Sequence, residues 1–301
     1  METRDVLLVD AFAAEPMAGN PAGVVLDADG LSDDQLAAIA GELGASATAF
    51  VSESDRAERR LRFFAPTGEL DRSDHATVAA FGALFERGGL EAGEYEMETI
   101  GSTRDVEVKG DGTVWLEQGE ARFEEVTQNH ETVADALGID VATLRDVGAD
   151  MPMAVADTGE PWLLVPVNYF EHVSRIDPDL PAIQELCEQV DAVGLYAFTF
   201  DTIGGEATLH GRGFAPSRGV GEDPVTGTAA GACAAYVRRE GALDDTVEQV
   251  VVEQGHFLDR PGTVRVDTDG LEAWVGGRAV TTVDGSMTVP EATEDDDIIE
   301  I

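Results

Sequence analysis

Apolar residues follow two rhythms along this chain. Short apolar runs bounded by Gly, Asp or Pro read as strands: 6-VLLVDAF-12, 22-AGVVLDA-28, 48-TAFVSE-53 and 61-LRFFAP-66, then 153-MAVADTG-159, 162-WLLVPV-167, 194-GLYAFTF-200 and 206-EATLHGRGFA-215. Between them, longer runs place apolar residues three or four apart and read as helices: 31-LSDDQLAAIAGEL-43, 180-LPAIQELCEQV-190, and two Ala-rich stretches beginning at His75 and Pro224. Ser32 has the chemistry of an N-cap, with Asp33 and Asp34 in the first turn favoured by the helix dipole.

The second half of this pattern echoes the first. The segment 62-RFFAPT-67 returns as 212-RGFAPS-217, each followed by a polar turn and then one of the Ala-rich helices. A hairpin series follows each helix, over 95–119 and over 247–277, with Asp111-Gly112 and Asp269-Gly270 suggesting type I′ turns. Echoes in the same order imply an internal duplication with a spacing of about 150 residues, too long for a solenoid repeat. The expected fold is α+β, with two pseudo-symmetric lobes, each a mixed sheet around a central helix. The boundaries place an N-terminal lobe at 1–120, joined by a C-terminal strand near 278–290, a second lobe at 121–277, and an acidic tail at 291–301.

Composition narrows the setting. Sixty Asp and Glu against 19 Lys and Arg leave a net charge of −41, and Lys109 is the only lysine. Such charge disfavours nucleic acid and anionic membranes as partners. Its spread through strand-forming sequence argues for a folded protein of a high-salt cytoplasm rather than a disordered chain. No apolar run is long enough to span a bilayer, and the start lacks a signal-peptide pattern. Cys187 and Cys233 are far apart and read as free, buried thiols. The five histidines show no ligand spacing, so no metal is expected.

The glycine-rich stretch 218-RGVGEDPVTGTAAGACAAYV-237 holds the candidate chemistry. A P-loop needs Lys after its second Gly, whereas Thr228 follows Gly227 here, so a nucleotide phosphate is not indicated. Asp223 reads as an N-cap with Pro224 at the first helical position, leaving the N–H groups of Thr226, Gly227 and Thr228 for a carboxylate. Gly227 would let such a ligand approach the backbone. Ser73, Asp74 and His75 occupy the equivalent helix start in the first half. A pseudo-twofold would set the two starts across a cleft, where groups from both lobes flank one small carboxylated molecule. By themselves His75 and Asp223 also fit simple capping roles, and Asn20 in 19-GNPAGVV-25 fits a turn.

Taken together, DAFAAEPMAGNPAGVVLDADGLSDDQLAAIAGELG (10–44), RFFAPTGEL (62–70), HAT (75–77), GFAPSRGVGEDPVTGTAAGA (213–232) and EQG…RPG (253–262) resemble the phenazine-biosynthesis PhzF-like family, of the diaminopimelate-epimerase-like fold. The resemblance spans nearly the whole chain. It implies isomerisation or epimerisation by proton transfer in an inter-lobe cleft, no cofactor, and a homodimer. Its active-site histidine falls on His75 and its aspartate on Asp223, with Asn20, Ser73, Gly227 and Thr228 as binding positions. Two departures stand out. The family's acid/base Glu reads Ala47, within Ser46-Ala47-Thr48, and the Gly before the histidine reads Asp74. Asp74 is therefore a candidate to take over the missing carboxylate. The two cysteine bases of diaminopimelate epimerases fall on Ser73 and Thr226. The loss of Glu leaves a second reading open, a member that binds a ligand or partner without turnover.

The charge generates a test. At 1 M salt the Debye length is about 3 Å and at 0.1 M about 10 Å, so self-repulsion of a −41 chain grows steeply on dilution. Thermal melts across that range should show a marked fall in Tm and loss of compactness at low salt; an unchanged Tm would refute the high-salt reading.

Overall fold

The computed structural model describes residues 2–145, 147, 151–244, 246–270 and 272–291. The acidic tail expected at 291–301 lies outside the described residues beyond position 291. Among the described residues no helix is long and apolar enough to cross a membrane.

The chain first runs β1 (Glu2–Ala11), β2 (Asn20–Val25), α1 (Asp33–Leu43), β3 (Thr48–Ser52), β4 (Arg59–Ala65), β5 (Gly68–Leu70), α2 (Asp74–Glu86), β6 (Gly93–Thr99), β7 (Ser102–Val108) and β8 (Val114–Glu120). It continues through β9 (Arg122–Glu125), α3 (His130–Leu137), β10 (Ala154–Asp157), β11 (Pro161–Pro166), α4 (Phe170–Val173), α5 (Leu180–Glu188), β12 (Gly194–Thr199), β13 (Leu209–Ala215) and β14 (Val220–Asp223). The last elements are α6 (Gly227–Arg239), β15 (Val250–Gln254), β16 (Gly262–Asp269), β17 (Glu272–Gly277) and β18 (Ala279–Val289).

Strand pairing makes two copies of one scheme. In the first lobe β1 runs antiparallel to β2, β2 parallel to β3, β3 antiparallel to β4, and β4 parallel to β6, with β7 and β8 closing by hairpins. In the second, β10, β11, β12, β13, β15, β16 and β17 repeat that sequence of senses. The repeated Phe-Ala-Pro segments end β4 and β13, where the short β5 and β14 fold back as hairpins. The first lobe also borrows an edge strand from the far end of the chain. Among the described residues β18 pairs only with β1 of the first lobe, β9 pairs with β10 within the second, and β8 pairs with β17 between the two lobes.

The Ala-rich composition of the two helices follows from their position. α2 packs against β1, β2, β3, β8 and β18, and α6 against β10, β11, β15, β16 and β17. Both are buried on nearly every face, as at Ala76–Leu84 and Gly227–Val237. A helix inside a curved sheet meets strands all round, so small side chains permit close packing there. The amphipathic helices lie on the outer sheet faces: α1 caps a cluster with Phe50 and Phe64, and α3 and α5 share one with Leu163 and Phe214. Ser32 closes a capping box with Gln35 at the start of α1, as its sequence implies.

The hairpin turns differ from expectation. Asp111 is not among the described non-glycine residues with positive φ, whereas Gly112 and Gly270 have φ of 82° and 63°. A type I′ turn needs positive φ at both central residues. At the first hairpin the reason is visible: Asp111 accepts the Thr113 N–H, and Gly112 N–H bonds Lys109 C=O, making a wider loop. At the second, Asp269 opposite Glu272 is still in the ladder, so the turn starts at Gly270.

One side chain wedges the lobes together. Phe12 sits at φ 58°, a costly conformation for a non-glycine residue, and is almost fully buried. Its ring lies where side chains on Gly227 and Gly277 would be, 3.0 Å and 2.3 Å from their hypothetical Cβ atoms. Its carbonyl accepts the Thr263 N–H of the second lobe. The ring therefore lies against the helix start that carries the candidate site.

Candidate active site

The starts of α2 and α6 meet at the lobe seam, as the duplicated pattern implied. A Cβ on Gly227 would lie 3.5 Å from the Asp74 Cβ. A cavity of about 630 Å³ opens beside them, lined from the first lobe by Ser46, Ala47 and Ser73–His75 and from the second by Trp162, Asp223 and Val225–Thr228. That volume suits a small metabolite.

The second helix starts later than its sequence suggests. Thr226, not Asp223, is the N-cap, and Gly227 opens the helix. The backbone of 223–226 is diverted by side chains: Asn20 Nδ2 donates to Val225 C=O at 2.8 Å, and Gln254 Nε2 donates to Asp223 C=O at 2.8 Å. Gln254 Oε1 accepts the Thr226 N–H at 3.2 Å, so that N–H is not free for a ligand. Ser73 is the matching N-cap of α2, its Oγ accepting from Ala76 N–H at 3.4 Å. Ser73 and Thr226, the positions of the two epimerase cysteines, thus fall on equivalent caps.

Asp223 is left at the end of β14 with its carboxylate shared between lobes. Asn20 Nδ2 donates to Oδ1 at 2.8 Å, and Thr226 Oγ1 donates to Oδ2 at 2.7 Å. Burial pushes the carboxyl up to about 6, against the lowering effects of Thr226, Asn20 and Arg218. Asn20, expected to contact a substrate, instead holds this carboxylate and is not a lining residue.

Asp74 is arranged in the opposite way. Its buried carboxylate takes Arg72 Nη2 at 3.0 Å and Arg104 Nη1 at 3.1 Å, and Arg72 also donates to Gln118 Oε1. Burial alone would raise its pKa, but the two guanidinium groups bring it down to about 2. A carboxylate so held is a weak proton acceptor near neutrality, a physical argument against assigning it the missing Glu's task.

His75 lies half-buried between two hydroxyls, with Ser46 Oγ 3.2 Å from Nε2 and Ser73 Oγ 3.3 Å from Nδ1. Burial holds its pKa down to about 4 although Asp74 pulls it up, so the ring is neutral at ordinary pH. Thr228 Oγ1 accepts from Trp162 Nε1 at 3.1 Å, and Ala47 is buried against the cavity beside Ser46. Gly227 meets Phe12 and Asp74 on the side where a Cβ would project, so its smallness serves packing of the helix starts.

Arg72, Arg104, Ser46, Trp162 and Gln254 carry this site without having been singled out individually by sequence. Gln254 sits within the quoted 253-EQG-255 and Arg72 two residues before Asp74, so both were within reach of a motif reading. Arg104, in the middle of β7, has no local signal.

The sequence matches the phenazine biosynthesis-like protein family (PhzC-PhzF) over residues 9–285. The uncharacterized isomerase YfhB of Bacillus subtilis is 35% identical over 296 residues, covering 97% of this chain and 98% of that protein. A PhzF-family phenazine biosynthesis protein from Bacillus anthracis superposes with a TM-score of 0.87 at 30% identity, over 96% of this chain and 100% of that one. A hydroxyproline epimerase from Agrobacterium vitis, solved with bound trans-4-hydroxy-L-proline, has the same two-lobed fold, with a TM-score of 0.63 at 12% identity over 97% and 94%.

The Asp74 cluster yields a stability prediction. Asp74→Asn leaves two partly buried guanidinium groups without their counter-charge, an expected loss of about 3 kcal/mol, rather than the near-neutral change a purely catalytic Asp74 would give. Because the folded pKa is about 2 against an ordinary 3.8, this stabilisation is present above 3.8 and lost as pH falls through 2. Denaturant melts in molar salt should therefore show a gap between parent and variant at pH 7 that closes in strong acid. Equal stability at pH 7 would count against the charge cluster.

Proposed function

The chain belongs to the phenazine biosynthesis-like (PhzC-PhzF) family, and from that premise we propose that it is an isomerase or epimerase acting on a small carboxylated metabolite by cofactor-independent proton transfer in the inter-lobe cavity. The observation that carries this reading is the Asp223 carboxylate, with a pKa of about 6 and one hydrogen-bond donor from each lobe. A base poised near the working pH is both ionised and strong enough to accept a proton from carbon.

In the proposed step the substrate carboxylate rests near the start of α6, where helix geometry leaves first-turn N–H groups unused by the helix. Asp223 takes a proton from an adjacent carbon, and the electron pair of that C–H bond delocalises toward the carboxyl or a conjugated double bond. A new C–H bond forms when a proton returns to another face or another carbon of the same molecule. His75, neutral and hydrogen-bonded to Ser46 and Ser73, is the second group able to pass that proton. The carboxylated amino acid bound by the Agrobacterium vitis epimerase supports the substrate class, through the shared fold.

A specific observation favours the second reading, a member that binds without turnover. Ala47 lines the cavity beside Ser46 and brings no titratable group where the family carries its Glu.

Solvent deuterium uptake into a panel of small carboxylates, in molar salt, separates the two. Turnover is expected to rise as pH passes through about 6, because Asp223 must be ionised to accept a proton. Asp223→Asn should reduce it by about 10²–10⁴-fold. Ligand binding with no exchange in the parent at any pH would favour the binding reading and overturn the proposal.

A further inference from the structure

Two side chains of the segment 253-EQGHFLDRPG-262, Gln254 and Arg260, govern the groups that hold Asp223. Gln254 is almost completely buried on β15. Its Oε1 accepts from Thr226 N–H at 3.2 Å and from Tyr196 Oη–H at 3.1 Å. Its Nε2 donates to Asp223 C=O at 2.8 Å and to Thr226 Oγ1 at 3.2 Å.

This set of partners fixes the amide orientation. A backbone N–H can only donate, so the atom facing Thr226 N is the oxygen, and the atom facing Asp223 C=O is the nitrogen. The nitrogen then donates to Thr226 Oγ1, whose own hydrogen goes to Asp223 Oδ2 at 2.7 Å. The order of donors runs Gln254 to Thr226 to Asp223, without an alternative sense.

Arg260 performs the matching service from the other side. It donates to Gly19 C=O through Nε and to Ala18 C=O through Nη2, both at 3.0 Å, and to Asp10 at 2.5 Å. Gly19 N–H in turn bonds Pro261 C=O at 3.0 Å. These contacts tie down the loop leading to Asn20, the other donor to the Asp223 carboxylate.

Resting on the proton-transfer reading above, we infer that Gln254 is a positioning residue for Asp223: it sets the direction of the Thr226 hydroxyl so that its hydrogen is delivered to the Asp223 carboxylate. Without Gln254 the hydroxyl is free to rotate and accept from the protonated acid, which favours the neutral form. Asp223 would then hold its proton to higher pH. A purely structural Gln254 would change stability and leave that proton affinity in place.

The test is a ¹³C-NMR titration of the Asp223 carboxyl in molar salt, assigned by its loss in Asp223→Asn. Gln254→Met and Thr226→Val should each raise the Asp223 pKa by roughly one unit, and the double variant should rise no further than either alone. Gln254→Leu, also uncharged and without a donor, covers the case in which Gln254→Met fails to fold. It too leaves the Thr226 hydroxyl free to rotate, so the shift is again upward. An unchanged pKa in whichever Gln254 variant folds, or additive shifts in the double variant, would overturn the inference. The titration needs no turnover. The expected shifts without solvent exchange by the parent would sink the proton-transfer reading alone, while exchange without the shifts would sink only the role of Gln254.

Discussion

Everything at this site depends on a carboxylate being kept at a lobe seam without a cation paired directly to it. Asp223 is held by neutral donors only, Asn20 from one lobe and Thr226 from the other. Neutral hydrogen bonds offset part of the desolvation cost, and the remainder raises the pKa toward neutrality. Asp74, at the start of α2 in the same seam, is the contrast: two arginines reverse the effect of burial and hold it ionised into strong acid. The same residue type serves two ends because the partners differ. One carboxylate has its proton affinity raised toward neutrality and the other is fixed as a charge.

The fold supplies that seam by duplication. Two sheets of the same pairing scheme each enclose an Ala-rich helix, and the two helices point their starts at one another. Phe12, held at positive φ against Gly227 and Gly277, fills the space between them. The strained conformation of Phe12 fits a place where a large ring must turn inward just as β1 ends. The edge strand β18 returns from beyond the second lobe to pair with β1, so the first lobe's sheet is not assembled from one continuous stretch of chain.

Much of the architecture was legible because its signals are local. The echo of 62-RFFAPT-67 in 212-RGFAPS-217 marks the same corner in both lobes, and the helix periodicities place α1, α2, α5 and α6 within a few residues. The start of α6 was misread at Asp223 because capping propensity is a local preference, while the backbone there is diverted by Asn20, about 200 residues away in sequence, and by Gln254. Asp74 was read as a spare acid for the same reason. Its partner Arg104 lies thirty residues on, in a strand with no motif of its own. Long-range polar pairing decides protonation here, and a single sequence does not display it.

Ala47, a methyl group where the resemblance to the family leads one to expect a carboxylate, is buried at the cavity wall beside the Ser46–His75 pair. The most direct measurement of the central claim is the rate of solvent-proton exchange into a small carboxylate substrate for Ala47→Glu, with Ala47→Gln as the shape control, both folded in molar salt. If this cavity is a proton-transfer site lacking one acid/base group, Ala47→Glu should exceed the parent by about 10²-fold or more, while Ala47→Gln gives no gain. A folded Ala47→Glu protein that exchanges no faster than Ala47→Gln would contradict it.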